Sequence, residues 1–182
     1  MDRQFGDLAR NNGSRAFAMR IVISDGPLGL SWQHASETCE FLGDTFALQH
    51  ARSGADFNDA RHSIVYLVNE LLENAIKFRV PGEIHVDCSL EQGNFELTVS
   101  NDAAPDVAGR FQLLIEEITA RDPGELLIER IEANAADENS SGSGLGLLTL
   151  MNDYGARLGW NFRSTTSGAA VTLSTHAALT LN

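Results

Sequence analysis

Alternating hydrophobic and polar residues predict the strands of this chain. The alternation is clear in EIHVDCSL, where Ile84, Val86, Cys88 and Leu90 fall on one face. The same reasoning predicts strands at 16–25, 83–90, 94–100, 160–165 and 169–177. The short polar segments EQGN and TSG join the last four strands into two antiparallel hairpins.

Hydrophobic residues recur every three to four positions elsewhere, and this period predicts helices. Ser31 is a candidate cap for the first helix, and Asp59 for the second, which ends near Phe78 before the sequence RVPG. The predicted helices span 31–51, 59–78, 110–120, 124–135 and 147–159.

The order of these elements predicts the fold class. One strand and two helices precede the first hairpin, and a helical insert and a helix precede the second. Helices covering one face of a mixed, mostly antiparallel sheet form an α+β two-layer sandwich. The chain has 182 residues, so we expect a single domain over 16–182, preceded by a flexible segment at 1–15.

The amino-acid composition restricts the classes of partner and the cellular compartment that we expect. The formal net charge is −12, which would repel nucleic acid and anionic lipid, so we expect neither as a partner. Cys39 and Cys88 lie on apolar faces without metal-binding spacing, which suits buried thiols in a reducing compartment. The N-terminus has no apolar signal region, and no run reaches membrane-spanning length. We therefore expect a cytoplasmic protein.

The segment VNELLENAIKF carries polar residues within an apolar helix. At 100° per residue, Glu70, Asn74 and Lys77 fall within roughly 60° of one another, beside the core face. One interpretation is a solvated edge in which Glu73 and Lys77 form a pair four residues apart. The other is a ligand site, where the Asn74 oxygen binds Mg²⁺ and Glu70 deprotonates a hydroxyl.

A glycine-rich segment lies directly before the last predicted helix. In SGSGLGLLTL, residues Gly142, Ser143, Gly144, Leu145 and Gly146 lead into the helix. Glycine lets the backbone approach a ligand closely, and helix N-termini offer N–H groups to anions. No Lys-Ser/Thr pair follows the glycines, so this is not a P-loop. No parallel strand–helix unit surrounds them, which excludes a Rossmann fingerprint.

The two motifs together resemble the GHKL superfamily, the ATP-binding fold of histidine kinases, gyrase-type topoisomerases, MutL and anti-sigma-factor kinases. NELLENAIKF is similar to its N box and GSGLGL to its final glycine box, and the resemblance covers about 16–176. It implies a Bergerat-type ATP site with Asn74 on Mg²⁺, Glu70 as general base and Lys77 near the phosphates. Gly142 to Gly146 would lie beneath the phosphates, and a lid over about 101–141 would close on the nucleotide.

The adenine-binding box departs from the family pattern of Asp-x-Gly-x-Gly. Here the strand is followed by NDAAPD, which places Asn101 at the Asp position and lacks both glycines. An Asn101 or Asp102 oxygen can accept a hydrogen bond from the adenine amino group. In the alternative interpretation, both residues simply cap a turn.

The resemblance also indicates the type of family member. His34, His50 and His62 lack the context of a phospho-accepting histidine, and the chain has no room for a transducer domain. A stand-alone module remains, similar to SiaB-like regulators. That likeness implies a Ser/Thr kinase acting on a small STAS-like partner, and anti-sigma-type kinases often form homodimers. The alternative is a catalytically inactive module that binds nucleotide or sequesters a partner.

Overall fold

A computed structural model describes residues 2–8, 17–24, 32–136, 144–164 and 169–181, without the side chains of 32–34 and 136. Strands β1 to β6 span Arg3–Gly6, Phe17–Ser24, Glu83–Glu91, Asn94–Ala103, Arg157–Ser164 and Val171–Thr180. Helices α1 to α5 span Trp32–Ala51, Phe57–Phe78, Pro105–Ala120, Pro123–Ala136 and Leu145–Asn152. The predicted α+β class is confirmed, because helices pack on a six-stranded antiparallel sheet.

The sheet has the order β1-β5-β6-β4-β3-β2. Side chains alternate along β4, so Phe95, Leu97 and Val99 are buried beneath the helices. The opposite face is polar, and there the Ser100 hydroxyl donates to the Ser174 hydroxyl across 2.8 Å. The helices therefore have one apolar sheet face to cover.

Helices α1 and α2 pack side by side and contribute most of the helical core. Phe46 of α1 is fully buried, and its ring meets Phe17 of β2 and Phe95 of β4 edge-on, with centroids 5.1 and 5.0 Å apart. Cys39 and Cys88 are both buried free thiols, as predicted, and burial raises the pKa of each to about 12. The sheet and these helices share one continuous hydrophobic core.

Helix α2 confirms the predicted helical period and corrects its predicted start. Asp56, not Asp59, is the N-cap, and its carboxylate accepts hydrogen bonds from the backbone N–H groups of Asn58 and Asp59 at 2.8 and 3.0 Å. The helix ends at Phe78, where Pro81 soon follows. Its buried residues are Ala60, Ile64, Leu67, Val68, Leu71, Leu72 and Ala75.

Two stretches differ from the sequence prediction in ways that affect the fold. Arg3–Gly6 lies inside the segment expected to be flexible, yet it forms edge strand β1 paired with β5. The predicted departure from the sheet at residue 101 is also wrong, because β4 continues to Ala103 and pairs with β6 along its whole length. Pro105 then begins α3, at a position where its missing N–H costs nothing.

The end of the chain is displaced from its prediction in a similar way. Helix α5 begins at Leu145 and ends at Asn152, several residues before the expected end at 159. Strand β5 consequently begins at Arg157, which lengthens its pairing with β6. Within the described ranges, no helix has both the length and the apolar composition that crossing a membrane requires.

Replacing Phe46 by Ala tests the shared core of α1 and the sheet. We expect F46A to lower the free energy of unfolding by about 3–5 kcal/mol, because the cavity would lie between Phe17 and Phe95. Urea denaturation measures the change. F41A is the matched control on the same helix, since Phe41 is 52% exposed and should cost far less. Equal losses in both variants would contradict this assignment of the core.

Candidate functional site

A cavity of about 390 Å³ opens between α2, α3 and the start of α5. Helix α2 packs on β4 while α3 packs on β1 and β6, and the space between the two helices is the cavity. Its lining combines polar side chains of α2, mainly apolar side chains of α3 and the turn at Gly144–Gly146, which we call the glycine turn. The lining residues are Glu70, Asn74, Lys77, Phe78, Val107, Arg110, Phe111, Leu114, Gly144, Gly146 and Leu147.

Glu70 lies at the junction of α2 and the glycine turn. A Cβ atom added to Gly146 would overlap the Glu70 carboxylate, so the absence of a side chain at Gly146 makes room for it. Burial is the main reason that the pKa of Glu70 is raised, and the negative charge of Glu73 adds to the effect. A half-buried carboxylate with a raised pKa has the character of a general base.

Asn74 and Lys77 continue the polar stripe along the cavity wall. Asn74 is half-buried, and Lys77 is exposed, with its ammonium nitrogen 5.1 Å from the centre of the Phe78 ring. Lys77 is the only lysine in the chain. In the described part of the chain, no carboxylate lies within ion-pair distance of Lys77, so the Glu73–Lys77 pair of the solvated-edge interpretation does not form there.

Gly144 places the start of α5 against the cavity. Its φ of +86° lies in the left-handed region, and it is the N-cap of α5 without a side-chain hydrogen bond to the helix. The first turn of α5 therefore keeps backbone N–H groups that its own cap does not satisfy. Leu145 packs against the core, and Gly144 and Gly146 line the cavity. Gly142 and Ser143, also predicted for this loop, lie outside the described residues.

Two arginines, missed by the sequence analysis, bring further positive charge to the site. Arg110 of α3 lines the cavity and pairs with Asp106 at 3.0 Å. Arg130 of α4 has a guanidinium nitrogen only 2.6 Å from where a Cβ of Gly144 would lie. With Lys77, they gather three cations beside a glycine turn in a chain of net charge −12. Both arginines are paired with carboxylates and Glu70 lines the same cavity, so an anion there would depend on individual donors rather than on a net positive field.

The two candidate adenine-binding residues lie elsewhere. Asn101 is 4% exposed on the helix-facing side of β4, and its amide nitrogen donates to the Asp102 carbonyl at 3.4 Å. Asp102 points to the opposite face and accepts a hydrogen bond from the Thr172 hydroxyl at 2.7 Å. Neither is among the described residues that line the cavity, because the longer strand β4 carries both into the sheet.

The donor set of the cavity agrees with a magnesium ion that arrives with phosphates. Mg²⁺ usually takes one or two protein oxygens and completes its coordination with phosphate and water. Asn74 and Glu70 both offer oxygen atoms to the same cavity. No group of three or more His, Cys, Asp or Glu residues able to hold a metal occurs within the described ranges.

No protein-family model matches this sequence, and no significantly similar sequence was found among curated proteins. The cavity and the residues that line it are therefore the features that bear on the function of this chain.

Replacing Gly146 by Ala tests the contact with Glu70. We expect G146A to lose less than about 1 kcal/mol of stability, because the new methyl group displaces the carboxylate at the end of the flexible Glu70 side chain. The control G109A fills open space in α3 and should be neutral or stabilising by about 0.5–1 kcal/mol. Truncating Glu70 in the double variant E70A/G146A should recover part of the loss in thermal unfolding. No recovery would contradict the contact.

The raised pKa of Glu70 predicts a pH-dependent stability. Folding disfavours the ionised form of Glu70 and so lowers the free energy of unfolding at high pH. This destabilisation is complete above the pKa of Glu70 in the folded state and is absent below its pKa in the unfolded state. E70Q should therefore be more stable than the parent at pH 8, and the difference should shrink as pH falls toward 5. Urea denaturation across this range measures it. E132Q, the same substitution at an exposed position of α4, is the matched control.

Proposed function

We propose that this chain is a GHKL-type nucleotide-binding protein, a Mg-ATP-dependent Ser/Thr protein kinase. One observation carries the proposal: Glu70, Asn74 and Lys77 from one helix line the same cavity as Gly144 and Gly146. The motifs lie about seventy positions apart in the sequence, and their convergence on one cavity is what a triphosphate site requires.

Three groups would hold the phosphates. The N–H groups at the start of α5, which receive no side-chain hydrogen bond from the N-cap, would bind phosphate oxygens, and Lys77 and Arg110 bring positive charge from α2 and α3. Asn74 would hold Mg²⁺, which when bound neutralises negative charge on the phosphate oxygens. Phe78 and Phe111, whose rings stack with centroids 6.4 Å apart, supply an apolar wall in the same cavity.

Glu70 is the residue suited to activate the acceptor. In the proposed reaction, a Ser or Thr hydroxyl oxygen of the partner attacks the γ-phosphorus of ATP while Glu70 takes the hydroxyl proton. The bond between the γ-phosphorus and the bridging oxygen breaks, and ADP leaves with the electron pair. The chain then holds a phosphorylated partner, ADP and a protonated Glu70, which returns its proton to solvent.

The partner class follows from the resemblance to SiaB-like and anti-sigma-type kinases. A small STAS-like protein is the proposed substrate. A phosphate group on its binding surface adds charge that must be desolvated, which would release it from one complex and favour another. The site would thereby control a partner-switching step, with α3 and α4 as the lid over the nucleotide.

The position of Asn101 supports a second candidate. Its side chain is buried and outside the cavity lining, so the family's adenine contact has no equivalent there among the described residues. A module that binds nucleotide or phosphate weakly and sequesters a partner without phosphoryl transfer accommodates this observation. Glu70 argues for the kinase, because a pure binding site gains nothing from a half-buried carboxylate beside the phosphates.

Calorimetric titration with Mg²⁺ and a non-hydrolysable ATP analogue tests the site. We expect binding at micromolar to sub-millimolar strength, with affinity falling roughly tenfold or more in N74A, since a ligand to the metal is lost. N69A is the control, because Asn69 lies on the same helix outside the cavity lining.

Absence of binding to the parent protein would contradict both candidates. Binding without phosphate transfer from radiolabelled ATP to a STAS-like partner would favour the sequestering module. Transfer that is lost in E70Q, with nucleotide affinity retained, would favour the kinase.

A further inference from the structure

Arg130 occupies an unusual position for a lid residue. It belongs to α4, yet one guanidinium nitrogen lies 2.6 Å from the position that a Cβ added to Gly144 would take. Its side chain is only 18% exposed, and its other terminal nitrogen pairs with Glu117 of α3 at 2.7 Å. The guanidinium therefore lies between a carboxylate of α3 and the N-terminal turn of α5.

We propose that Arg130 is a phosphate-binding residue, and that an anion at the glycine turn competes with Glu117 for its guanidinium. The inference rests on the proposed function and names a regulatory contact of the same site. A phosphate held by the N–H groups after Gly144 lies within reach of this guanidinium, and arginine binds phosphate oxygens with two parallel donors. When the phosphate is absent, Glu117 accepts from one terminal nitrogen of the guanidinium at 2.7 Å.

A second ion pair shows what an arginine without this role looks like. Arg121 and Glu129 also join the α3 and α4 segments, with contacts at 2.5 and 2.8 Å. Arg121 is more exposed than Arg130, 38% against 18%, and among the described residues neither arginine lines the cavity. Both pairs are arginine with glutamate in the same part of the fold, but Arg130 is the less exposed arginine and lies beside Gly144.

The exchange would change how α3 contacts α4. Helix α4 packs more extensively against α5 than against α3, and the Arg130–Glu117 pair is one of the links to α3. A phosphate that takes over Arg130 removes this link while strengthening the hold of α4 on the glycine turn. Nucleotide binding thereby changes the ion pairing of Glu117 on α3, the helix that also forms a wall of the cavity.

A set of variants in the full chain tests the exchange, with the Mg²⁺ complex of the non-hydrolysable ATP analogue and inorganic tripolyphosphate as probes. R130A should weaken binding of both roughly tenfold to a hundredfold, the effect of losing a charge-assisted contact. E117Q should strengthen binding roughly threefold, because the competing carboxylate loses its charge. R121A and E129Q, the matched controls, should stay within about twofold of the parent.

The double variant R130A/E117Q separates competition from general electrostatics. If Glu117 acts through Arg130, the gain from E117Q disappears when Arg130 is absent, and the double variant binds like R130A. A gain that persists in the double variant overturns the exchange. Because E117Q preserves side-chain shape, its gain in affinity can be measured even if R130A is poorly folded, and an E117Q affinity equal to the parent also overturns the proposal.

The outcomes also distinguish this inference from the proposed function. Nucleotide binding that is unchanged in R130A leaves the kinase proposal intact and removes Arg130 from the site. Tripolyphosphate binding that depends on Arg130, without nucleotide binding, supports the anion site and contradicts the kinase. A parent protein that binds neither probe contradicts both.

Discussion

The burial of one face of α2 is the constraint on which the rest of the site depends. Residues from Ala60 to Ala75 fix this face in the shared hydrophobic core, so the helix cannot rotate without exposing several apolar side chains. Glu70, Asn74 and Lys77 are then held at the edge of that face, where α3 and the glycine turn complete a cavity. The packing that stabilises the fold therefore also sets the direction of the polar groups.

The second constraint is the close approach of charged side chains to the backbone at Gly144 and Gly146, and the two glycines meet different side chains. Gly146 leaves room for the Glu70 carboxylate, whereas Gly144 combines a positive φ with contact to Arg130 and Leu114. Both contacts bring charge to the start of α5, negative on one side and positive on the other. An anion held here would depend on local cations and backbone N–H groups, which act at short range, while the distant charges of the acidic body are screened.

Much of the fold and about half of the cavity lining could be predicted from the sequence, because they depend on the spacing of residues within single helices and strands. The stripe of α2 needs only the helical turn, and the glycine segment needs only composition and a following helix. Arg110 and Arg130 could not be predicted, since their proximity to Gly144 depends on how α3 and α4 pack. Strand β1 has four residues and no clear alternation of its own, so pairing with distant β5 decides its existence.

The outcome at Asn101 and Asp102 shows how a small error in strand length changes a functional argument. Ending β4 at Ser100 would free both side chains to approach a ligand, but continued pairing with β6 through Ala103 fixes them on opposite faces of the sheet. Asp102 then bonds Thr172 on the open face, and Asn101 turns to its own neighbouring backbone. In the proposed nucleotide site, specificity for a base would therefore have to come from the cavity walls, where the stacked Phe78 and Phe111 rings lie. Stacking on aromatic rings tolerates any base, so a site built this way would select its ligand by the phosphate chain rather than by adenine.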